Sequence, residues 1–247
     1  MSQALINKLE TFTSLDAADR EKLASLSSGA RSYRNGEVLA QEGQKPDCVF
    51  LLTEGWACRY KMLADGQRQI LAYMLPGDTC DIFNHAVDHM DHSIAAIGAC
   101  KAVPIPQAEL MDAIARHPAI AYALHRSTIV DGSMSREWML NIGQRDGFSR
   151  IAHLFSELLA RMDAIGLVTN GKFAMPCTQT DLADTIGLTP VYVNRTLQRM
   201  RGEGLILLRK RCLTVLEPER LIAASAFTSA YLHLNERADP VPMSIAA

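Results

Sequence analysis

Residues 178–206 constrain the fold of this chain more than any other stretch, because they carry the signals of two short helices joined by a tight turn. Thr178 is followed three residues later by Asp181, which predicts a capped helix start, and Gly187 supplies a stop. Thr189 and Pro190 suit the cap and the first position of a second helix. A surface pair of helices would share some of these signals, but cap, turn and proline together favour a helix-turn-helix.

The second helix is expected to have two unlike faces. Val193, Leu197 and Met200 recur at the spacing of a buried helical face. The opposite face is polar and cationic, which suits a helix whose outer surface enters the major groove of DNA. The side chains of this motif that we expect at the DNA are Thr178, Thr189, Val191, Tyr192, Asn194, Arg195, Gln198 and Arg199.

The residues after this helix predict a small β-hairpin, or wing, with a basic turn. Apolar residues 205–208 and 213–216 flank Arg209, Lys210 and Arg211, and Lys210 is the expected wing contact to DNA. Residues 172–220 contain eight Lys or Arg and five Asp or Glu, a net charge of +3, whereas the whole chain of 247 residues carries −2. This asymmetry favours phosphate binding by the carboxyl-terminal region.

The first half of the chain has a different pattern. Residues 3–28 have helical periodicity, and short apolar runs then alternate with turn signals. The turn signals are Asn35-Gly36, Glu42-Gly43, Glu54-Gly55, Asp65-Gly66 and Pro76-Gly77. Regular spacing of this kind is typical of an antiparallel all-β domain, either a barrel or a jelly roll.

These glycine turns, with the segment Gly36-Glu-Val-Leu-Ala-Gln-Glu-Gly43, the apolar run at 49–52 and the segment Pro76-Gly77-Asp78, resemble a cyclic-nucleotide-binding β-roll. Together with the winged helix, residues 15–222 resemble the Crp/Fnr family of bacterial transcription regulators. The resemblance implies an α+β chain with a sensor roll and amino-terminal helices at 1–116, a dimerisation helix and hinge at 117–144, and a winged helix with a frayed tail at 145–247. It also implies a homodimer that reads a palindromic site in double-stranded DNA, with RNA polymerase as a partner and a small effector possible.

Residues 118–144 support a long helix on their own terms, since no proline interrupts them after Pro118. Polar and apolar residues recur at intervals near 3.5, as in a coiled-coil seam, and an internal core helix is the alternative. The seam residues are Ile120, Leu124, Ser127, Val130, Met134 and Trp138.

The sensor pocket departs from the family pattern. Its expected residues are Gly77, Asp78, Cys80, Asp81, Ile82 and Ser93. Family members that bind cyclic AMP hold the ribose with a Glu and the phosphate with an Arg. Here Ile82 or Asp81 stands for the Glu and Met90 for the Arg, and no Arg or Lys lies between Gln69 and Ala99. A phosphodiester needs a cation or a fan of backbone donors, so we expect the effector not to be a cyclic nucleotide.

No cofactor is predicted. Six cysteines are scattered without a Cys-x-x-Cys pair, and none precedes Cys48, so neither a zinc site nor the family's iron–sulfur cluster is expected. His85, His89 and His92 could hold a metal or haem if they shared a helix face, although clustered surface histidines are commoner. Cys177, just before the motif, is expected to be a small buried residue, with a redox role as the alternative.

Other functional classes find little support. There is no nucleophile elbow or phosphate loop, so the chain is not expected to be an enzyme. It lacks a signal peptide and any apolar run of membrane-spanning length, which favours a cytoplasmic protein without membrane contact. The alternative function is a metal-, haem- or redox-responsive sensor module that acts mainly through protein contacts.

Overall fold

The computed structural model describes residues 3–234, apart from the side chain of His85. Contacts group the described residues into two compact units. The first contains the residues up to Ala57, Met74–Gly132 and those after Leu232, and the second contains Cys58–Tyr73 and Ser133–Leu232. This grouping differs from the boundaries expected after residues 116 and 144, because a hairpin and the second half of a long helix join the carboxyl-terminal elements.

The first unit begins with two helices, α1 (Gln3–Glu10) and α2 (Ala17–Leu26). Asp16 caps α2 by accepting a hydrogen bond from the backbone nitrogen of Asp19 at 2.8 Å, and the Asp19 carboxylate accepts one from Asp16 at 3.2 Å. This capping box satisfies backbone donors that the helix itself leaves unpaired. The apolar face of each helix is buried, as the helical periodicity of residues 3–28 predicts.

An antiparallel sheet follows these helices and confirms the predicted all-β domain. Its strands are β1 (Arg31–Tyr33), β2 (Val38–Ala40), β3 (Cys48–Met62), β4 (Arg68–Met74) and β5 (Ser93–Pro106). The strand order is β1-β5-β3-β4, and β2 also pairs with β5. Gly55 is required within β3, because its φ is +72° and an added Cβ would lie 2.3 Å from the carbonyl oxygen of Ala99.

Helix α3 (Gln107–Arg116) leads into the long helix α4 (Pro118–Gln144), which confirms the predicted long helical element. The side chains of the predicted dimer seam on α4 are all buried within the chain itself, to 8% exposure or less. Those residues are Ile120, Leu124, Ser127, Val130, Met134 and Trp138. Trp138 shows the cause: its indole nitrogen donates a hydrogen bond to the Glu157 carboxylate at 3.1 Å. These side chains belong to the chain's own interior, as the core-helix alternative expects.

The exposed side of α4 carries a different set of apolar side chains. Ile129 is 45% exposed, Leu140 is 47% exposed and Met139 is 67% exposed. Ile129 and Leu140 lie eleven residues apart in the sequence, about three helical turns, so they share a face, and Met139 flanks them. We call these three residues the α4 stripe.

The second unit contains the winged helix that the sequence predicts. Its elements are α5 (Gly147–Ala164), β6 (Lys172–Ala174), α6 (Gln179–Ile186), α7 (Pro190–Gly202), β7 (Ile206–Arg209), β8 (Cys212–Val215) and α8 (Pro218–Ser225). The three strands form an antiparallel sheet in the order β6-β8-β7. Asp146 caps α5 by accepting hydrogen bonds from the backbone nitrogens of Phe148 and Ser149 at 2.9 Å.

The described chain does not continue as a helix after α8. Helix α8 ends at Ser225, where Ala226 takes a left-handed conformation with φ +48°, and a short 3₁₀ turn follows at Ala230–Leu232. This turn is held by Tyr231, whose hydroxyl donates a hydrogen bond to the buried Glu157 carboxylate at 2.7 Å. The predicted frayed tail, from residue 239 onward, lies outside the described residues.

Tyr231 also stacks on His153, with ring centroids 6.1 Å apart. His153 is fully buried, and burial together with the nearby Arg145 charge lowers the pKa of its imidazole to about 4. The ring is therefore neutral at physiological pH and packs as part of the core.

Among the described residues, no helix is long and apolar enough to cross a membrane.

Candidate functional site

The first helix of the motif, α6, starts with a reciprocal cap. The Thr178 hydroxyl accepts a hydrogen bond from Asp181 N at 3.1 Å, and the Asp181 carboxylate accepts one from Thr178 N at 2.8 Å. Gly187 ends the helix in a left-handed conformation with φ +67°. The predicted cap and stop are confirmed, and they define where the turn to the next helix begins.

Helix α7 is capped as predicted, because the Thr189 hydroxyl accepts a hydrogen bond from Tyr192 N at 3.2 Å and Pro190 occupies the first turn. Val193, Leu197 and Met200 are buried, at 2% exposure or less. One face of α7 is thus fixed in the core of the winged helix, and its other face is available to a partner.

That outer face presents one apolar and one cationic side chain near the start of α7. Val191 is 80% exposed, and Arg195 is exposed one turn later. The Arg195 guanidinium lies 5.3 Å from the centre of the Tyr192 ring, a cation–π distance. The ring limits the directions in which the guanidinium can point, so Arg195 meets a ligand partly pre-oriented.

Three amides form a chain across the same face. Asn194 donates to Gln179 Oε1 at 3.0 Å, and Gln198 donates to Asn194 Oδ1 at 2.9 Å. This chain joins α6 to α7 and fixes which end of each amide faces outward. Gln179 is not among the predicted DNA residues, because a pairing over 15 residues has no local sequence signal.

Arg199 is engaged within the chain. Its Nε donates to Glu203 at 2.7 Å, and its guanidinium lies 4.5 Å from the centre of the Phe148 ring. The Glu203 partner was readable from the sequence as an i, i+4 pair, whereas the Phe148 contact was not. Among the residues that the structure describes, no carboxylate bonds the Arg195 guanidinium, whereas Glu203 bonds that of Arg199.

The wing ends in a two-residue turn made of cations. Arg209 pairs with Cys212 across the hairpin, and Lys210 and Arg211 between them both have positive φ, +50° and +57°. Two positive φ values define a type I′ turn, which normally favours Asn and Gly. Arg209, Lys210 and Arg211 are all exposed, so the tip of the wing is a concentrated positive charge.

The predicted sensor pocket is filled rather than open. Met90 and Ile82 are buried, and Met90 packs in an apolar cluster inside the roll. The other members of that cluster are Leu52, Ala57, Met74, Cys80, Ile94, Ala96, Cys100 and Ala102. The cavity beside Cys80 and Asp81 has a volume of about 60 Å³, whereas drug-sized ligands occupy pockets of roughly 300–1,000 Å³.

Helix α1 covers the turn that precedes this cluster. An added Cβ on Gly77 would lie 2.5 Å from the carbonyl oxygen of Ala4, so glycine is needed for this close approach. The Lys8 ammonium forms an ion pair with Asp78, whose other oxygen accepts a hydrogen bond from Leu75 N at 2.9 Å. The backbone at Gly77 and Asp78 is thus occupied by the chain's own groups.

Comparisons with known proteins match both halves of the chain. Residues 149–224 match the Crp-like helix-turn-helix domain and residues 30–117 match the cyclic nucleotide-binding domain. The transcriptional activator protein FnrL of Cereibacter sphaeroides is 30% identical over 212 residues, which cover 83% of this chain and 84% of that protein. The chain belongs to the Crp/Fnr family.

A second relative, the transcriptional activatory protein AadR of Rhodopseudomonas palustris, is 29% identical over 216 residues, covering 86% of this chain and 87% of that protein. The solved structure of FixK2 from Bradyrhizobium japonicum is similar, with a TM-score of 0.69 and 26% identity, and covers 81% of this chain and 98% of that one. This Crp/Fnr protein is accordingly a DNA-binding transcription regulator.

In this Crp/Fnr regulator the three histidines of the sensor region do not lie on one helix. The 3₁₀ turn at Asn84–Ala86 ends before His89, which is exposed, and the side chain of His85 lies outside the described residues. His92 is buried and bonds two carboxylates, Asp91 at 2.7 Å and Asp81 at 3.1 Å. Within residues 3–234, apart from His85, no cluster of His, Cys, Asp and Glu could hold a metal ion.

The remaining predicted pocket residue, Ser93, is also engaged, since its hydroxyl accepts a hydrogen bond from Glu42 N at 2.9 Å. Cys177 is half-buried, and burial raises the pKa of its thiol. A protonated thiol is a poor nucleophile, so Cys177 behaves as a small packing residue next to Tyr73.

Proposed function

We propose that this regulator binds a palindromic DNA site as a homodimer, and that its effector is not a cyclic nucleotide. The observation that carries DNA reading is the outer face of α7, where Val191 and Arg195 stand exposed on a helix whose opposite face is fixed in the core. In a winged helix this is the surface that fits a major groove.

Each side chain on that face has a chemical preference. Arg195 can donate two hydrogen bonds to the O6 and N7 of one guanine, and Val191 can contact a thymine methyl. The Asn194 and Gln198 amides suit adenine, which offers one donor and one acceptor in the major groove. At the wing, Arg209, Lys210 and Arg211 can contact phosphates without reading sequence.

Dimerisation is proposed to use the α4 stripe, Ile129, Met139 and Leu140, rather than the buried seam. A two-fold axis along α4 would bring each copy's stripe against the other, because such an interface uses the same patch twice. Burial of the stripe against a second copy removes three large apolar side chains from water, which favours association. The α7 helices of the two copies would then face half-sites about one turn of DNA apart, roughly 34 Å.

The filled roll supports the proposal that cyclic nucleotides do not bind. The cavity in the roll is lined by the Asp47 and Asp81 carboxylates and by Lys45, and not by an arginine of the kind with which family members that bind cyclic AMP hold the phosphate. The relatives FnrL and AadR bear names of transcription activators. Activation by this chain would require contact with RNA polymerase, which we infer as a second macromolecular partner.

Selection of bound sequences from random double-stranded DNA tests the proposal. We expect an inverted repeat whose half-sites contain a guanine. The complex should weaken steeply with salt, because phosphate contacts release counterions. Light scattering should give twice the chain mass of 27.2 kDa. A monomeric protein, or an enriched motif without two-fold symmetry, would contradict it, and the absence of any enriched DNA would favour a sensor module acting through protein contacts.

A further inference from the structure

The end of the β3–β4 hairpin, Cys58–Tyr73, lies in the same compact unit as the winged helix. Its strand β4 is hydrogen-bonded to α6. Arg68 on β4 bonds two carboxylates of that helix at once. Its Nε donates to Asp184 Oδ2 at 2.8 Å and its Nη2 donates to Asp181 Oδ1 at 2.6 Å. The two carboxylates are three residues apart on α6, so they share a face, and the planar guanidinium matches both.

Asp181 connects this ion pair to the start of α6. Its Oδ1 accepts from Arg68, while its Oδ2 accepts from the backbone nitrogen and the hydroxyl of Thr178, at 2.8 and 2.7 Å. Arg68 is thus bonded to the residue that closes the capping box of the helix-turn-helix. The Asp181 side chain is 11% exposed and that of Arg68 26% exposed, so water screens this pair less than a surface ion pair.

A second set of contacts lies on the same face of α6, at Thr185, one helical turn after Asp181. The Tyr73 hydroxyl lies 2.6 Å from the Thr185 hydroxyl, and Gln69 donates to the Thr185 carbonyl at 3.1 Å. Burial raises the pKa of Tyr73, which keeps its hydroxyl protonated. The hairpin therefore holds α6 through Asp181, Asp184 and Thr185, three positions that face the same way.

We propose that Arg68 is a positioning residue for DNA binding. It fixes the angle of α6 through the two carboxylates, and α6 in turn carries α7 through the Gln179–Asn194 bond. It also neutralises two negative charges on a motif that must approach phosphates. This inference rests on the proposed function, and the two roles of Arg68 make different predictions for substitutions that keep or remove charge.

The test uses the full chain and the palindrome selected by the wild type, with an unrelated duplex of equal length for comparison. Arg68→Ala should bind the palindrome at least tenfold more weakly. Arg68→Lys keeps the charge but cannot bond both carboxylates in the same geometry. It should bind unrelated DNA as the wild type does, bind the palindrome about fivefold more weakly, and accept palindromes whose half-site spacing is changed by one base pair.

Asp184→Asn is the matched variant, because it removes a negative charge together with the Arg68–Asp184 ion pair and leaves the Arg68–Asp181 pair in place. Neutralisation alone predicts tighter binding to all DNA, whereas positioning predicts weaker binding to the palindrome. Wild-type affinity and spacing preference in both Arg68→Lys and Asp184→Asn would overturn the proposal, as would tighter binding by Arg68→Ala. These two variants carry the test if Arg68→Ala does not fold. If the wild type itself selects no DNA, it is the proposed function that fails.

Discussion

The turn at the wing tip carries positive charge at positions where the backbone is strained. Two pairs of substitutions can separate the effect of the strain on stability from the effect of the charge on DNA binding. Lys210 and Arg211 both occupy the left-handed region, which costs about 1–2 kcal/mol for each residue with a side chain. Replacing them with the preferred pair, Lys210→Asn with Arg211→Gly, removes much of this strain. Glycine offsets part of this gain, because its greater freedom in the unfolded chain costs about 0.5–1 kcal/mol on folding. We therefore expect a net gain of about 1–2 kcal/mol in the free energy of unfolding.

The same substitution removes two cations from the proposed phosphate contacts. The slope of log affinity against log salt should become shallower by about 0.9 for each lost contact, or about 1.8 for two. Lys210→Gln with Arg211→Gln is the matched control, because it removes the same charges but keeps side chains at both strained positions. Both variants should lose DNA affinity alike, and only the Asn-Gly variant should gain stability.

Tryptophan fluorescence can follow the unit that contains the wing. Trp56 lies in the first unit and Trp138 in the second, and the chain has no other tryptophan. In a Trp56→Phe background, urea unfolding reports on the surroundings of Trp138. A gain of about 1 kcal/mol corresponds to a rise of about 2–4 °C in Tm for a chain of this size. The reasoning is refuted if the Asn-Gly and Gln-Gln variants unfold at the same urea concentration, or if both keep the wild-type salt slope.

Three further predictions follow from the other surfaces. Met139→Glu with Leu140→Glu puts charges on the α4 stripe and should halve the mass seen by light scattering, whereas Met62→Glu, at another exposed site, should leave it unchanged. Arg195→Ala should cost about 1–3 kcal/mol on the selected site and relax one base position in each half-site, so an unchanged motif would contradict base reading. Cyclic AMP and cyclic GMP should give no binding heat at micromolar concentrations, and a Kd below about 10 μM, roughly −7 kcal/mol, would contradict the filled roll.

The motif at 178–206 was predictable because its determinants are local. A threonine cap, an acidic residue three positions later, a left-handed glycine and a proline in the first turn each act on the backbone within a few residues. The structure accordingly shows the Thr178–Asp181 capping box and the Thr189 cap where the sequence predicts them. The same is true of the wing, whose two strands flank its basic turn.

The partners of α6 were not predictable in this way. Arg68 and Asp181 are 113 residues apart, and Gln179 and Asn194 belong to different helices. A charged residue in a predicted β-turn region reads as a solvated side chain unless its distant partner is known. Likewise, Ala226 is not a residue that signals a helix stop, so the break after α8 became visible only with the buried contacts of Tyr231.

The long helix shows the limit of periodicity most directly. A repeat of apolar residues at intervals near 3.5 establishes that one face of α4 avoids water, but the same repeat results whether a second copy or the chain's own core covers that face. At Trp138 it is the chain's own core that covers the face, because the buried Glu157 carboxylate that accepts its hydrogen bond is part of the same chain. A polar acceptor of this kind leaves no mark on the hydrophobic pattern. The exposed stripe of Ile129, Met139 and Leu140 is irregular by comparison, and it is the exposure of those side chains in the structure that makes it a candidate for the second copy.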